Sequence, residues 1–256
     1  MYEIELSFLE NMLKTAYSRF ADGELNVSEK AEFDIVTNID LAIERYFREE
    51  LVKNFPGDLV LGEEYSAEIT LQNRTWILDP IDGTFNFSVG SQLFGLQAAL
   101  WDCGDLVVSA IYLPKLGEYY HAEKNQGAFL NGEKIQVSSR VPKNAILSFG
   151  DLPHARRKDT EDELVMIRKA QNSIAKIRMF GAASVDFTQL AAGKSEGTVL
   201  FTRNKWDIAP GLLLSKEAGA VCYGVDGGIY NFDCRGIVAL NKKELFDLIH
   251  LDGGNL

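Results

Sequence analysis

Arg74-Thr75-Trp76-Ile77-Leu78-Asp79-Pro80-Ile81-Asp82-Gly83-Thr84 carries a short β-prone run into an abrupt change of direction. Trp76, Ile77 and Leu78 have the character of a buried strand, and Pro80 and Gly83 force a turn just where two aspartates stand three residues apart. That turn can aim Asp79 and Asp82 at one point. Asp-Pro and Asp-Gly are also common turn dipeptides, so taken alone these residues read first as a plain reversal.

Outward from this stretch the chain has two styles. Before it, Leu9, Met12, Leu13, Ala16, Tyr17 and Phe20 recur at helical spacing. Ile39, Ala42, Ile43, Tyr46, Phe47 and Leu51 form a second stripe that stops at Asn54-Phe55-Pro56-Gly57. After it, residues 93–101, 106–112 and 118–122 read as an antiparallel meander, and Asn131-Gly132 as a tight hairpin turn. From Ala145 the style changes to strands (145–149, 175–179, 198–201, 236–240) alternating with helices (from about 160, to 193, 207–219, from 242). We therefore expect an α+β subdomain over residues 1–140 that carries most candidate ligands. An α/β subdomain over 141–256 completes a site in the crevice between them.

The balance of 26 Lys plus Arg against 37 Asp plus Glu gives a formal charge of −11, which argues against a nucleic-acid polymer as partner. It leaves room for a small anion held through bound cations. No run of 18 apolar residues is present, so no membrane span is expected, and Glu3, Glu5 and Glu10 do not suit a secretory leader. Cys103, Cys222 and Cys234 are scattered and odd in number, which fits the reducing cytoplasm.

Several catalytic signatures are missing, among them a G-x-S-x-G elbow and H-E-x-x-H, and His121, His154 and His250 lie far apart. Gly193-Lys194-Ser195 resembles the end of a phosphate loop, but Thr188 stands where its first glycine belongs, and a helix C-terminus is the better reading. Acids are the stronger signal. Glu63 in Gly62-Glu63-Glu64 ends the strand before Trp76, and Asp207 in Trp206-Asp207 is read at a strand end in the second half. Asp207 can equally be the N-cap of a helix with Pro210 in its first turn. Carboxylates gathered about 4 Å apart would repel by roughly 4 kcal/mol per pair at an effective dielectric of 20. Hard divalent cations with all-oxygen ligation relieve that repulsion, and two of them suit phosphoryl transfer.

Gly62-Glu63-Glu64, the run from Trp76 to Thr84, and Trp206-Asp207-Ile208-Ala209-Pro210-Gly211 resemble the motifs of the inositol monophosphatase family. Asp34-Ile35-Val36-Thr37-Asn38-Ile39-Asp40 is similar to its early D-x-V-T-x-x-D element. The resemblance spans nearly the whole chain. It implies the layered αβαβα sandwich of the inositol monophosphatase and fructose-1,6-bisphosphatase type, a homodimer, and an Mg²⁺-dependent, Li⁺-sensitive phosphomonoesterase using two or three ions.

Residue by residue, the resemblance implies metal ligation by Glu63, Asp79, the Ile81 carbonyl, Asp82 and Asp207. It implies that Thr84, paired with Asp40, helps a metal-activated water attack, with Glu63 also on the catalytic side. Asp40 has a second reading, because Thr37-Asn38-Ile39-Asp40 is a capping-box pattern. Asp82, Gly83, Thr84, Gly181, Ala182, Ala183 and Asp207 are expected around the substrate, with amides at helix starts near Gly83 and Gly181 available to phosphate oxygens.

One departure bears on the substrate. Inositol-preferring members carry a glutamate seven residues before the W-D aspartate, where this chain has Leu200. Thr202-Arg203-Asn204-Lys205 follows, so Arg203 is expected to meet a second anionic group, or else to be solvated. Inositol monophosphate or a related small monoester is the first substrate reading. NADP, adenosine bisphosphate or fructose bisphosphate is the alternative, and a non-catalytic metal-dependent binding module is a remote third.

Overall fold

Strand β4 (Thr75–Asp82) is buried along its whole length and belongs to a seven-stranded sheet ordered β3-β4-β5-β6-β7-β8-β9. Its neighbours are β3 (Leu59–Gly62), parallel to it, and β5 (Gly95–Asp102), antiparallel. The meander continues through β6 (Asp105–Leu113), β7 (Glu118–Glu123), β8 (Gly127–Leu130) and β9 (Glu133–Ile135). The structure, a computed structural model, describes residues 2–65, 71, 73–153 and 156–251, so His154 falls outside the described residues.

Two-residue alternation makes each strand serve two cores. In β4, Trp76 and Leu78 face a core built with Leu9, Met12 and Leu13 of α1 (Glu3–Phe20) and Ile43 and Phe47 of α2 (Asn38–Asn54). Ile77 faces the other way, onto a core with Val185, Phe187 and Leu190 of α5 (Ala183–Ala191) and Leu212 to Leu214 of α6 (Lys205–Glu217). Beyond α5 and α6 lies a five-stranded sheet, β11-β10-β12-β14-β13. Its strands are β10 (Ile146–Phe149), β11 (Lys176–Arg178), β12 (Gly197–Leu200), β13 (Val221–Gly224) and β14 (Ile237–Leu240). Ile237 and Ala239 point into the middle core, while Val238 and Leu240 meet α4 (Arg157–Ser173) and α7 (Lys243–Ile249) outside. The order is helices, sheet, helices, sheet, helices, which is the expected αβαβα sandwich.

Four local readings change. The hairpin of β1 (Val27–Ala31) and β2 (Asp34–Thr37) has no sequence signal, since β1 is exposed throughout and shows no alternation. Strand β13 was likewise unanticipated. The basic run Arg156-Arg157-Lys158, which carries no signal in the sequence, leads into α4, and Arg156 is tied to Asp159 at 3.3 Å and to the Phe201 carbonyl at 2.6 Å. Finally, Asp207 does not end a strand and is not an N-cap. Helix α6 starts at Lys205, which puts Asp207 third and Pro210 sixth in it. Pro210 has no N–H for the Trp206 carbonyl four residues back, and Gln97 of β5 donates its Nε2 there at 3.1 Å.

A candidate active site at the meeting of two sheets

The turn expected at Asp79-Pro80 is a β-bulge. Asp79 pairs with Gln97 and Asp82 with Gly95, so three steps on β4 oppose two on β5. In a regular strand, residues three apart face opposite sides. The extra residue resets that parity and brings Asp79 and Asp82 to one side, with Pro80, which can donate nothing to a ladder, inside the bulge. The reversal comes at Gly83 (φ 88°), where a Cβ would stand 2.8 Å from Ala182 Cβ. Helix α3 (Thr84–Ser88) starts immediately after.

Glu63 follows β3, and its turn is set from behind by Glu44 of α2. This fully buried carboxylate accepts from the amides of Glu64 (2.6 Å) and Tyr65 (3.2 Å) and is neutralised by Arg48 at 2.7 Å. Gly62 provides the room, because a Cβ there would lie 2.3 Å from Glu44 Oε1. Asp207 is placed by α6, which packs so closely on α5 that a Cβ on Gly211 would lie 2.0 Å from Phe187.

These pieces meet in a crevice of about 350 Å³. Glu63, Asp79, Ile81, Asp82, Gly83, Thr84 and Asp207 line it, as do Gly181, Ala182, Ala183 and Leu200. Asp40 stands behind, fully buried, and receives Thr84 Oγ1 at 3.1 Å on one oxygen and Thr37 N at 3.0 Å on the other. Thr37 and Asp40 also form the capping box of α2, so both readings of Asp40 describe one carboxylate. Arg203 is not brought to the crevice. It lines a larger neighbouring cleft of about 860 Å³ with Trp101, Trp206 and Tyr230.

The acids are charged at a cost. Burial pushes the Glu63 carboxyl up to about 8, with Asp207 adding to it. Asp207 rises to about 7 through burial and then Asp82. Burial lifts Asp82 to about 6 even against the hydrogen bonds it accepts. Asp79 goes well above the usual carboxylate range through burial and then Glu63, Asp82 and Asp207, and its Oδ1 has no hydrogen-bond partner.

Among the described residues no three His, Cys, Asp or Glu side chains stand close enough together to hold a metal ion, and most of the set is turned toward protein donors. Glu63 takes Lys30 from the β1–β2 hairpin at 3.1 Å, and Lys30 also reaches Glu64 at 3.0 Å. Thr202 donates to Asp207 at 2.8 Å. Asp82 accepts Ala183 N at 3.1 Å, Ser184 N at 2.7 Å and the Ser184 hydroxyl, capping α5 across the two halves. Amides expected to meet phosphate at that helix start are therefore engaged by Asp82. The donor set nevertheless fits Mg²⁺: every candidate ligand is a hard oxygen, and Asp79 presents a buried carboxylate oxygen with nothing bound to it. Lys30, Glu44 and Ser184 were missed by sequence reading, and only the three-dimensional fold brings them to these acids.

The inositol monophosphatase family model matches residues 2–251. An inositol-1-monophosphatase of Rhizobium meliloti is 38% identical over 221 residues, 85% of this chain and 82% of that protein. The solved Thermotoga maritima IMPase superposes with a TM-score of 0.85 at 29% identity, covering 97% of each chain. An IMPase/NADP phosphatase solved with Mg²⁺ and phosphate gives 0.83 at 25%, covering 98% of this chain and 95% of that one. With the same sandwich, the same motifs and relatives matched almost end to end, this chain belongs to the inositol monophosphatase family and is a phosphoric monoester hydrolase.

Proposed function

We infer that the enzyme hydrolyses small phosphate monoesters, inositol monophosphate among them, with two or three Mg²⁺ ions held by Glu63, Asp79, Asp82, Asp207 and the Ile81 carbonyl. The observation that carries this reading is the set of four acids sharing one crevice, Asp79 and Asp82 buried and Glu63 and Asp207 half-buried, each with its pKa pushed up, beside the Thr84–Asp40 pair. The Mg²⁺ and phosphate held by the solved IMPase/NADP phosphatase support it. When bound, Mg²⁺ acidifies water and offsets charge on the phosphoryl group and the departing oxygen.

The chain's own residues then have defined tasks. Thr84 Oγ1 lies 3.1 Å from Asp40 Oδ1 and 3.0 Å from the Ile81 carbonyl, and its single hydrogen serves one of them at a time. Given to Asp40, it leaves the lone pairs of Oγ1 to accept from a water in the crevice and orient it toward phosphorus. Burial raises the affinity of Asp40 for a proton, which suits it to receive one through Thr84. Gly83, Gly181, Ala182 and Ala183 keep the walls bare enough for the phosphate to approach. Leu200, 4% exposed and part of the middle core, offers no acceptor to a ring hydroxyl. An unpaired hydroxyl there loses roughly 1–3 kcal/mol, so the reading includes non-inositol monoesters.

The same reading has the enzyme acting as a Li⁺-sensitive homodimer in the cytoplasm. Its cytoplasmic part is supported by three free cysteines. The test is phosphate release from inositol 1-phosphate, fructose 1,6-bisphosphate and NADP, with Mg²⁺ and with EDTA. Release that persists in EDTA overturns the metal assignment, and no release from any ester overturns the substrate class.

A further inference from the structure

Helix α2 reaches the crevice at two levels. Asp40 and Glu44 stand one turn apart, so their carboxylates project from the same face of the helix, and both are fully buried. Asp40 takes the Thr84 hydroxyl at 3.1 Å. Glu44 takes the turn that carries Glu63. One of its oxygens accepts the Glu64 amide at 2.6 Å, and the other accepts the Tyr65 amide at 3.2 Å with Arg48 Nε and Nη2 at 2.9 and 2.7 Å. Arg48 also donates to the Val60 carbonyl at 3.3 Å, which ties the same helix to the strand leading into the turn. Glu63 and Thr84 each lie just past the last paired residue of a strand, Gly62 paired with Leu78 and Asp82 with Gly95. The sheet ladder therefore stops short of both. What registers one against the other is a pair of side chains on one rigid helix.

We propose that Glu44 is a positioning residue: by holding the Glu63 turn on the helix that also holds Thr84, it sets how tightly the Glu63 end of the crevice binds Mg²⁺. This rests on the metal reading above and adds to it a residue that does not itself line the crevice. A carboxylate only accepts, and the backbone amides and guanidinium around Glu44 only donate. In Glu44→Gln the side-chain NH₂ must face either the Glu64 amide or the Tyr65 amide with Arg48. The size is kept and one half of the grip is lost, so the turn is no longer drawn onto α2. Gly62 belongs to the same device, because a Cβ there would lie 2.3 Å from Glu44 Oε1 and 2.8 Å from Leu78 Cδ1, pushing the side chain off the turn.

The test titrates the full chain with Mg²⁺ alone, reading the rise in Tm without any ester present. It then follows phosphate release over the same Mg²⁺ range, with the ester that wild type turns over fastest. Glu44→Gln should need about tenfold more Mg²⁺ for half of the Tm rise and for half-maximal release. Ester KM should be unchanged, and kcat at saturating Mg²⁺ should stay within about threefold of wild type. Leu51→Ala, which truncates a buried side chain of the same helix, controls for lost stability: its Tm in EDTA falls, and its Mg²⁺ requirement stays that of wild type. Hydrogen exchange needs no variant and decides alone if Glu44→Gln fails to fold. In wild type the Glu64 and Tyr65 amides should exchange slowly in EDTA as well as in Mg²⁺. An unchanged Mg²⁺ requirement in Glu44→Gln overturns the proposal and leaves the metal reading intact. So does a requirement that Leu51→Ala raises equally, and so do Glu64 and Tyr65 amides that exchange at the rate of an open loop. A wild type whose Tm and turnover both ignore Mg²⁺ fails the metal reading, and the proposal with it.

Discussion

Two groups of acids lie in this molecule, and they are solved in opposite ways. Around Arg235, three aspartates from α4 and the loop after β13 converge on one guanidinium, with Asp159 at 2.7 Å and Asp162 and Asp226 at 2.6 Å. Hydrogen bonding to Arg235 holds the Asp226 carboxyl below its ordinary range. In the crevice, Glu63, Asp79, Asp82 and Asp207 share no arginine, and burial drives all four upward. The first group carries its own counter-charge and is structural. The second is short of positive charge, and it is this shortfall that the metal ions of the proposed function would fill.

Removing an acid separates the two groups most sharply. Asp82→Asn and Asp207→Asn should each lower kcat on the order of 10³-fold with an unchanged circular dichroism spectrum, since each takes a charged ligand from a bound ion. Near-normal turnover at limiting Mg²⁺ in either variant would break the contrast. Arg235→Met should act the other way round, costing about 2 kcal/mol in urea unfolding, because half-buried Asp162 loses its arginine and buried Asp159 keeps only Arg156. A loss of activity with no loss of stability would show that the arginine cluster is not merely structural.

Thr84→Ala should reduce kcat about 10²-fold with little change in KM, while Thr84→Ser keeps most of the rate, as expected for a hydroxyl needed only during attack. Unchanged kcat with raised KM would make Thr84 a binding residue alone. The smallest effect is on stability against pH. Acids raised on folding to about 6, 7 and 8 bind protons more tightly folded than unfolded, so their contribution is fully present below about pH 4. It is lost as the pH rises through those values. The depressed Asp226 has the opposite sign and loses its contribution only as acid is added. In EDTA, Tm should therefore fall by about 3 °C between pH 5 and pH 8, and Mg²⁺ should restore it at pH 8 far more than at pH 5. A Tm that rises with pH in EDTA would contradict the shortfall.

The two groups also differed in how much of them was visible beforehand. The crevice acids sit in contiguous motifs, where strand character, a proline and a glycine announce a special backbone, and Trp76 to Leu78 announce the sheet. Arg235 carries no such mark, since its three partners lie 9 to 76 residues away and meet only when α4 packs beside the loop after β13. Lys30 was hidden for a related reason: its strand is exposed throughout and Val27-Ser28-Glu29-Lys30-Ala31 shows no alternation, so period-two reading finds nothing. The start of α6 was misplaced because Asp207 draws the N-cap reading, whereas Asn204 holds that position without a side-chain cap hydrogen bond. Arg203 was drawn toward the crevice by closeness in sequence, whereas the loop carries it to the other cleft.

The bond from Gln97 to the Trp206 carbonyl sets an order on how the sequence can drift. While Pro210 is present, Gln97→Leu strands a carbonyl at the start of the helix that carries Asp207, a loss of roughly 1–3 kcal/mol. Pro210→Ala supplies the missing N–H from within the helix, after which Gln97 is dispensable. A lineage can therefore lose the proline first and the glutamine second, and the reverse route passes through a weakened enzyme. The two positions should prove non-additive in a double-mutant cycle although 113 residues of chain separate them.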